Sequence, residues 1–361
     1  MNRLFHGGNL TSASLLYKIK IDRFIDFSAN INPLGMSPEV KNALLKSIDF
    51  VPYYPEPYCE RLKTEIANYL GINKENILVG NGSCDLIYLT VRSFKPKNVL
   101  IPVPTFSEYE YAVKINGGRC HFLRLSKNNK FLWEPESIVE HLNGIDMIFI
   151  CNPNNPTGSL IAKEALLSIV TICKKNNVKI VIDEAFIDFV ENHESFSMVR
   201  DATFIENLIV LRSLTKFFGL AGLRVGYLTG KSQLIKKIAL QQIPWAVNAL
   251  GQIAAKEALK DKKFIKETRN YIQQERRYLW NKLKAIEGIE PYPATANFIL
   301  CHLSKEDMNS SFITEKLGYQ GILIRDCKNF RGLNNKFIRI AVKKREENLK
   351  LISALNKILP T

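Results

Sequence analysis

Apolar and polar positions follow two different rhythms along this chain. Short apolar runs recur through its first two-thirds, at 77–79, 99–103, 121–125, 147–150, 179–182, 208–211 and 224–228. Stretches with helical spacing, such as 85–92 and 163–175, lie between several of them. Buried strands separated by helices predict a mostly parallel sheet with helices on both faces. In such sheets ligands bind beyond the carboxyl ends of the strands. Upstream, 38–48 predicts a helix with proline near its start. A second helix has Leu62, Ile66 and Tyr69 on one stripe and Gly71 at its end. The intervening Pro52-Tyr53-Tyr54-Pro55-Glu56-Pro57 is too rich in proline for a helix or a central strand.

The rhythm changes after about residue 235. Phe264, Thr268, Ile272, Leu279, Leu283 and Ile286 recur at spacings that predict one long amphipathic helix. Residues 297–300, 322–324 and 337–340 read as strands, and 346–359 as a closing helix. The expected fold is therefore α/β with a smaller α+β domain. Residues 28–234 form the large unit. Residues 1–27 are an N-terminal arm, with a short helix over 11–17, that joins 235–361 in the small one. A chain of 361 residues exceeds the size at which a single core stops growing, which agrees with two units.

Composition removes several function classes. The formal charge is +15, but Lys and Arg are scattered, with no basic run longer than Lys343-Lys344-Arg345. No nucleic-acid-binding motif accompanies them, so no nucleic-acid partner is expected; the positive field favours phosphorylated small molecules instead. No apolar run approaches the ~20 residues that span a bilayer, and residues 1–10 lack the apolar centre of a signal peptide. A cytoplasmic protein with no membrane partner is expected. The seven cysteines are irregularly spaced and form no C-x-x-C pair, and the five histidines show no ligand spacing, so no metal is expected.

The candidate chemistry sits at predicted strand ends. Ser213-Leu214-Thr215-Lys216 follows the run at 208–211, and Arg224 lies eight residues beyond the lysine. A lysine held at a strand end is placed to form a Schiff base, and two hydroxyls and an arginine beside it suit an anion. Alone, such a tetrad also describes a solvated surface loop. Three further motifs accompany it: Gly80-Asn81-Gly82-Ser83-Cys84-Asp85 after 77–79, Asn152-Pro153-Asn154-Asn155-Pro156-Thr157-Gly158 after 147–150, and Asp183-Glu184-Ala185-Phe186 after 179–182. Small residues at 82–84, opening a helix, let backbone N–H groups face an anion.

These four motifs, in this order and at these separations, resemble the fold-type I pyridoxal phosphate (PLP) enzymes, in the branch that holds histidinol-phosphate aminotransferase. The resemblance covers essentially the whole chain. His6-Gly7-Gly8-Asn9, the stretch Asp26-Phe27-Ser28-Ala29-Asn30-Ile31-Asn32-Pro33, Leu323-Ile324-Arg325-Asp326-Cys327 and Phe337-Ile338-Arg339-Ile340 are similar to the threonine-phosphate decarboxylases of that branch.

The resemblance implies PLP as cofactor, with Lys216 catalytic and Asp183 facing the ring nitrogen. Asn155 then bonds the ring hydroxyl and Phe106 stacks on the ring. Ser83, Cys84, Ser213, Thr215 and Arg224 seat the phosphate, and Tyr54 reaches the phosphate of a second subunit in a homodimer. Asn32 and Arg339 contact substrate. Arg325 offers a second planar fork for an anion, and His6, Gly7, Gly8 and Asn9 complete a site for a substrate phosphate. One departure is Phe186, where related aminotransferases usually carry tyrosine. The expected reaction is decarboxylation of L-threonine O-3-phosphate to (R)-1-amino-2-propanol O-phosphate, which feeds the cobalamin side chain; histidinol-phosphate aminotransferase is the alternative. A regulator on the same scaffold is set aside, because it would usually carry an added DNA-binding domain.

Overall fold

The apolar runs of the first two-thirds assemble into one seven-stranded sheet. The computed structural model describes residues 6–132 and 135–359. The first five residues of the expected arm and the last two of the expected small unit lie outside the described residues. The arm carries helix α1 (Leu10–Tyr17) and strand β1 (Ile25–Asp26), followed by α2 (Pro38–Ser47) and α3 (Glu60–Leu70). The chain then runs β2 (Ile77–Gly80), α4 (Gly82–Phe94), β3 (Asn98–Val103), α5 (Glu108–Ile115), β4 (Arg119–Arg124), β5 (Met147–Cys151), α6 (Lys163–Lys175), β6 (Lys179–Asp183), β7 (Leu208–Ser213), β8 (Gly226–Gly230) and α7 (Ser232–Ala239). Its strand order is β2-β8-β7-β6-β5-β3-β4, with β8 antiparallel to both neighbours and the other pairings parallel.

Alternation along the strands divides the core between the two faces. Ile180, Ile182, Leu208 and Val210 point to one core, shared with Leu166 and Ile169 of α6 and Leu62 and Ile66 of α3. Val181, Ile209 and Leu211 point to the other, with Leu86 and Ile87 of α4, Tyr109 of α5 and Ile235 of α7. Both faces are therefore buried, which is why these strands read as continuous apolar runs. Strand β4 is the exception. It is an edge strand with alternating exposure, so its charged Arg119 and Arg124 stay outside.

The remainder comprises α8 (Ala249–Lys260), α9 (Lys262–Lys284), β9 (Ile289–Pro291), β10 (Phe298–Leu303), α10 (Ser310–Gly318), β11 (Ile322–Leu323), β12 (Arg325–Asp326), β13 (Phe337–Ala341) and α11 (Arg345–Ile358). An antiparallel sheet of order β12-β13-β10-β9 is its centre. β1 pairs with β11, Ile25 opposite Ile322, so the arm lies along this sheet's neighbour. Two expected strands differ. The run at 322–324 breaks at Ile324 into β11 and β12, which join different sheets. The strand expected from 224 begins at Gly226, because Arg224 takes a left-handed conformation (φ 56°) that ends a turn.

Candidate active site

The carboxyl ends of β3, β5, β6 and β7 surround one cavity of about 410 Å³, closed on its other side by the arm and by β12 and β13. Its wall holds twelve of the seventeen residues given a site role above: His6, Gly7, Ser83, Cys84, Phe106, Asn155, Asp183, Thr215, Lys216, Arg224, Arg325 and Arg339.

At its base Asp183 is buried, with no cationic hydrogen-bond partner among the described residues. Its Oδ2 accepts from Tyr109 Oη at 2.7 Å and its Oδ1 from the Ala185 N–H at 2.9 Å. Burial raises its pKa from the ordinary aspartate value. Tyr109 is fixed in turn, with its ring stacked flat on Phe149 at 4.9 Å and edge-on to Phe106 at 5.7 Å. Lys216 opens onto the cavity. Burial of its amine, reinforced by Arg224 and Arg339, lowers its pKa to about 8.

Beside them α4 begins, its first N–H groups free of intrahelical partners. Gly226 runs so close beneath this end that a Cβ on it would lie 2.5 Å from Ser83 N. Arg224 closes the other side, held by a bond from Nη1 to the Ala221 carbonyl at 3.1 Å. The hydroxyls of Ser213 and Thr215 pair at 2.6 Å. Helix N-terminus, guanidinium and hydroxyls together form an anion seat.

Opposite the seat, Arg325 and Arg339 are direct cross-strand partners on β12 and β13. Like charges so placed repel unless an anion lies between them. Arg339 donates from Nη1 to Asn155 Oδ1 and from Nη2 to the Ser28 carbonyl at 2.7 Å. Its Nε is buried with no partner among the described residues, and burial pushes its pKa down to about 10. Arg325 lies over Phe330 at 5.0 Å, bonded to Asn329 Oδ1 and the Asp326 carbonyl. The arm closes the mouth. A Cβ on Gly7 would stand 2.1 Å from the Ser28 carbonyl oxygen, so only glycine allows this approach. His6 Nε2 then meets Glu108 Oε1 at 2.7 Å, 5.8 Å from the Phe106 ring.

Five expected residues fall outside the wall. Asn32 is the main correction: its Nδ2 is committed to the Phe217 carbonyl and to Thr268 Oγ1, and its Oδ1 to the Leu34 N–H. Asn30 lines the cavity instead, with its Oδ1 buried and unpartnered. Asn9 caps α1 by accepting from Ser12 N, and Gly8 donates its N–H to Ser28 Oγ. Ser213 is buried behind Thr215. Tyr54 is 84% exposed and packs on Trp245 at 5.0 Å, away from this cavity. Sequence reasoning missed Ser28, Glu108, Tyr109 and Phe330. Glu108 carries no motif signal. It accepts from Tyr88 and His6, and the bond from His6 holds its carboxyl below the usual range.

The pattern that describes "Aminotransferase class I and II" matches residues 22–355. The chain belongs to that family. Within it, the chain is 36% identical to the threonine-phosphate decarboxylase of Salmonella typhimurium, over 98% of this chain and 96% of that protein. It is 38% identical to the histidinol-phosphate aminotransferase of Caldanaerobacter subterraneus subsp. tengcongensis, over 95% and 93%. The L-threonine-O-3-phosphate decarboxylase structure from Porphyromonas gingivalis superposes with a TM-score of 0.82 at 27% identity, over 93% of this chain and 99% of that one.

This class I and II aminotransferase relative is a fold-type I enzyme that uses PLP, and its cavity fits that group. Among the described residues the buried Asp183 carboxylate takes hydrogen bonds from neutral donors alone, and a pyridinium nitrogen would supply a cationic one. The anion seat suits the phosphate, the Phe106 ring forms a flanking wall, and Lys216 supplies the amine. Among the described residues no cluster of His, Cys, Asp or Glu is arranged to hold a metal, and no helix is long and apolar enough to cross a membrane.

Proposed function

We propose that this enzyme decarboxylates L-threonine O-3-phosphate to (R)-1-amino-2-propanol O-phosphate, in the cytoplasm, as a step toward the cobalamin side chain. The observation that carries this reading is the cross-strand pair Arg325 and Arg339, facing the seat with His6 at the mouth. Two guanidinium groups suit a substrate with two anionic groups, a carboxylate and a phosphate. Relatives of comparable identity carry both decarboxylase and aminotransferase names, so the similarity alone does not choose between them.

PLP, when bound, would supply an electron sink for one bond at the substrate's Cα. The protein chooses that bond by gripping the substrate's far end. Arg339, fixed by Asn155 and Ser28, presents an immobile fork. Arg325, in the outer part of the grip, is held over Phe330. A substrate held with its carboxylate in the reacting position would lose carbon dioxide, and one proton returned to Cα would complete the reaction; Lys216, with its lowered pKa, would hold that proton. Phe186, 5% exposed and edge-on to Phe298 at 5.0 Å, offers no hydroxyl where related aminotransferases use one.

Removing one partner of a desolvated charge pair typically costs about 2–5 kcal/mol. Arg325→Ala is therefore expected to raise the apparent Kd for threonine phosphate by roughly 30-fold or more, and to change that for unphosphorylated threonine little. Equal losses for both amino acids in a titration would remove the phosphate from Arg325.

A homodimer is part of the same proposal, with Tyr54 completing the phosphate seat of the second subunit. Tyr54 adjoins the exposed Tyr53 (70%) and packs on the exposed Trp245 (47%), and exposed apolar surface of this kind marks interfaces. Sedimentation is expected to show a dimer, and Tyr54→Ala to weaken PLP binding. Full turnover by a strictly monomeric species would contradict it.

A further inference from the structure

A second cavity, of about 460 Å³, lies on the other side of β7 from the active-site lysine. It is bounded by the end of α3, the loop 193–200 and the first turns of α9. Six of its fourteen lining residues are Lys or Arg, namely Lys163, Arg200, Arg212, Lys262, Lys266 and Arg269, against 50 of 361 in the whole chain. Among the described residues Glu194 is the one acidic residue in the wall.

Two of the six cations are neutralised. Arg212 is paired with Glu184 and Asp188 at 2.9 Å each, and Lys163 with Asp201 at 2.7 Å. Among the described residues the other four have no carboxylate within 4.0 Å. Arg200 donates Nε to the Leu70 carbonyl, and Arg269 donates Nε to the Asp188 carbonyl, both neutral acceptors. Among the described residues, Lys262 and Lys266 have no carboxylate within 4.0 Å. Lys262, Lys266 and Arg269 stand at i, i+4 and i+7, so they share one face of α9. Like charges at that spacing weaken a helix. Elsewhere on α9 the lysine on the adjoining stripe, Lys263, has Glu267 one turn on. The stripe facing the cavity lacks such a partner. Arg269 Nη2 also lies 3.2 Å from His193 Nε2, and a guanidinium can only donate, so the imidazole accepts as a neutral ring. Burial, with Arg269 and Arg212 nearby, lowers the His193 pKa to about 4.

We infer that this cavity is a second anion-binding site, separate from the catalytic one, for a small phosphorylated or pyrophosphorylated metabolite. Its volume is in the range of small-molecule sites, and its concave wall suits a compact anion rather than a polymer backbone. The site adjoins the catalytic lysine. Arg269 lies 5.6 Å from the ring of Phe217, the residue after Lys216, and β7 places Arg212 in one cavity and leads to Lys216 in the other.

Inorganic pyrophosphate titrated calorimetrically into the PLP-loaded enzyme tests this. One saturable site per chain is expected to persist in Arg325→Ala, which cripples the catalytic grip. In Lys262→Ala/Lys266→Ala its Kd is expected to rise at least tenfold, with turnover retained. Both lysines are exposed, so the double variant keeps the core intact. Pyrophosphate affinity unchanged in the double variant, or lost in Arg325→Ala, would overturn the inference, as would binding that never saturates.

Discussion

Replacing Lys216 by alanine is expected to lower kcat by at least ~10³-fold. General acid–base catalysis alone contributes about 10²–10⁴, and Lys216 is also the covalent anchor we propose for the cofactor. The pH behaviour adds a second reading. A lysine with a pKa near 10.4 is almost wholly protonated at pH 7. Lys216, lowered to about 8, has about a tenth of its amine neutral there, and the neutral amine is the nucleophile. The rate at which cofactor-free enzyme takes up PLP is therefore expected to rise with pH and level off above about 9. Borohydride treatment of the loaded enzyme is expected to fix the pyridoxyl group on Lys216. Its recovery on another lysine by peptide mapping would contradict this assignment.

The second large effect is expected at Asp183. Its carboxylate is buried against two neutral donors, and burial raises its pKa. In the cofactor-free protein a raised carboxyl pKa means that the folded state holds its proton more tightly than the unfolded one. Stability is then lost as pH rises from the ordinary carboxylate range through the raised value. Asp183→Asn keeps a group able to bond Tyr109 but carries no charge. The cofactor-free variant is thus expected to be at least as stable at pH 7 as the unaltered protein. Its PLP affinity is expected to fall by roughly 30- to 4,000-fold, the equivalent of about 2–5 kcal/mol for a lost buried charge partner. Thermal unfolding with and without PLP separates the two effects. A variant less stable without PLP and normal in binding it would show that Asp183 is a structural carboxylate.

Much of this was legible in the sequence because strand ends carry the chemistry. Lys216, Asp183 and the 82–84 turn each follow an apolar run, and the sheet brings those ends together whatever the intervening loops do. What was not legible is set by contacts between distant segments. Asn30 and Asn32 both sit in one Asx-rich turn, and nothing local says that Asn32 turns back to Phe217 while Asn30 faces the cavity. Tyr109 reads as an ordinary core aromatic on α5; its hydroxyl finds Asp183 across 74 residues. Glu108 meets His6 across 102 residues, and no spacing rule encodes that pairing. The placement of Arg325 opposite Arg339 depends on the register of β12 and β13, in which β12 is two residues long. Arg224 was expected to open a strand. Its left-handed conformation instead ends a tight turn, from which its side chain reaches the seat.

The proposed reaction can be separated from its alternative in two tubes. The first holds PLP-loaded enzyme and L-threonine O-3-phosphate, with no keto acid. The second holds the same enzyme with histidinol phosphate and 2-oxoglutarate. Efficient carbon dioxide release in the first, with only a trace of glutamate in the second, is the predicted result. Efficient glutamate formation in the second and no carbon dioxide in the first would contradict it and make the enzyme an aminotransferase.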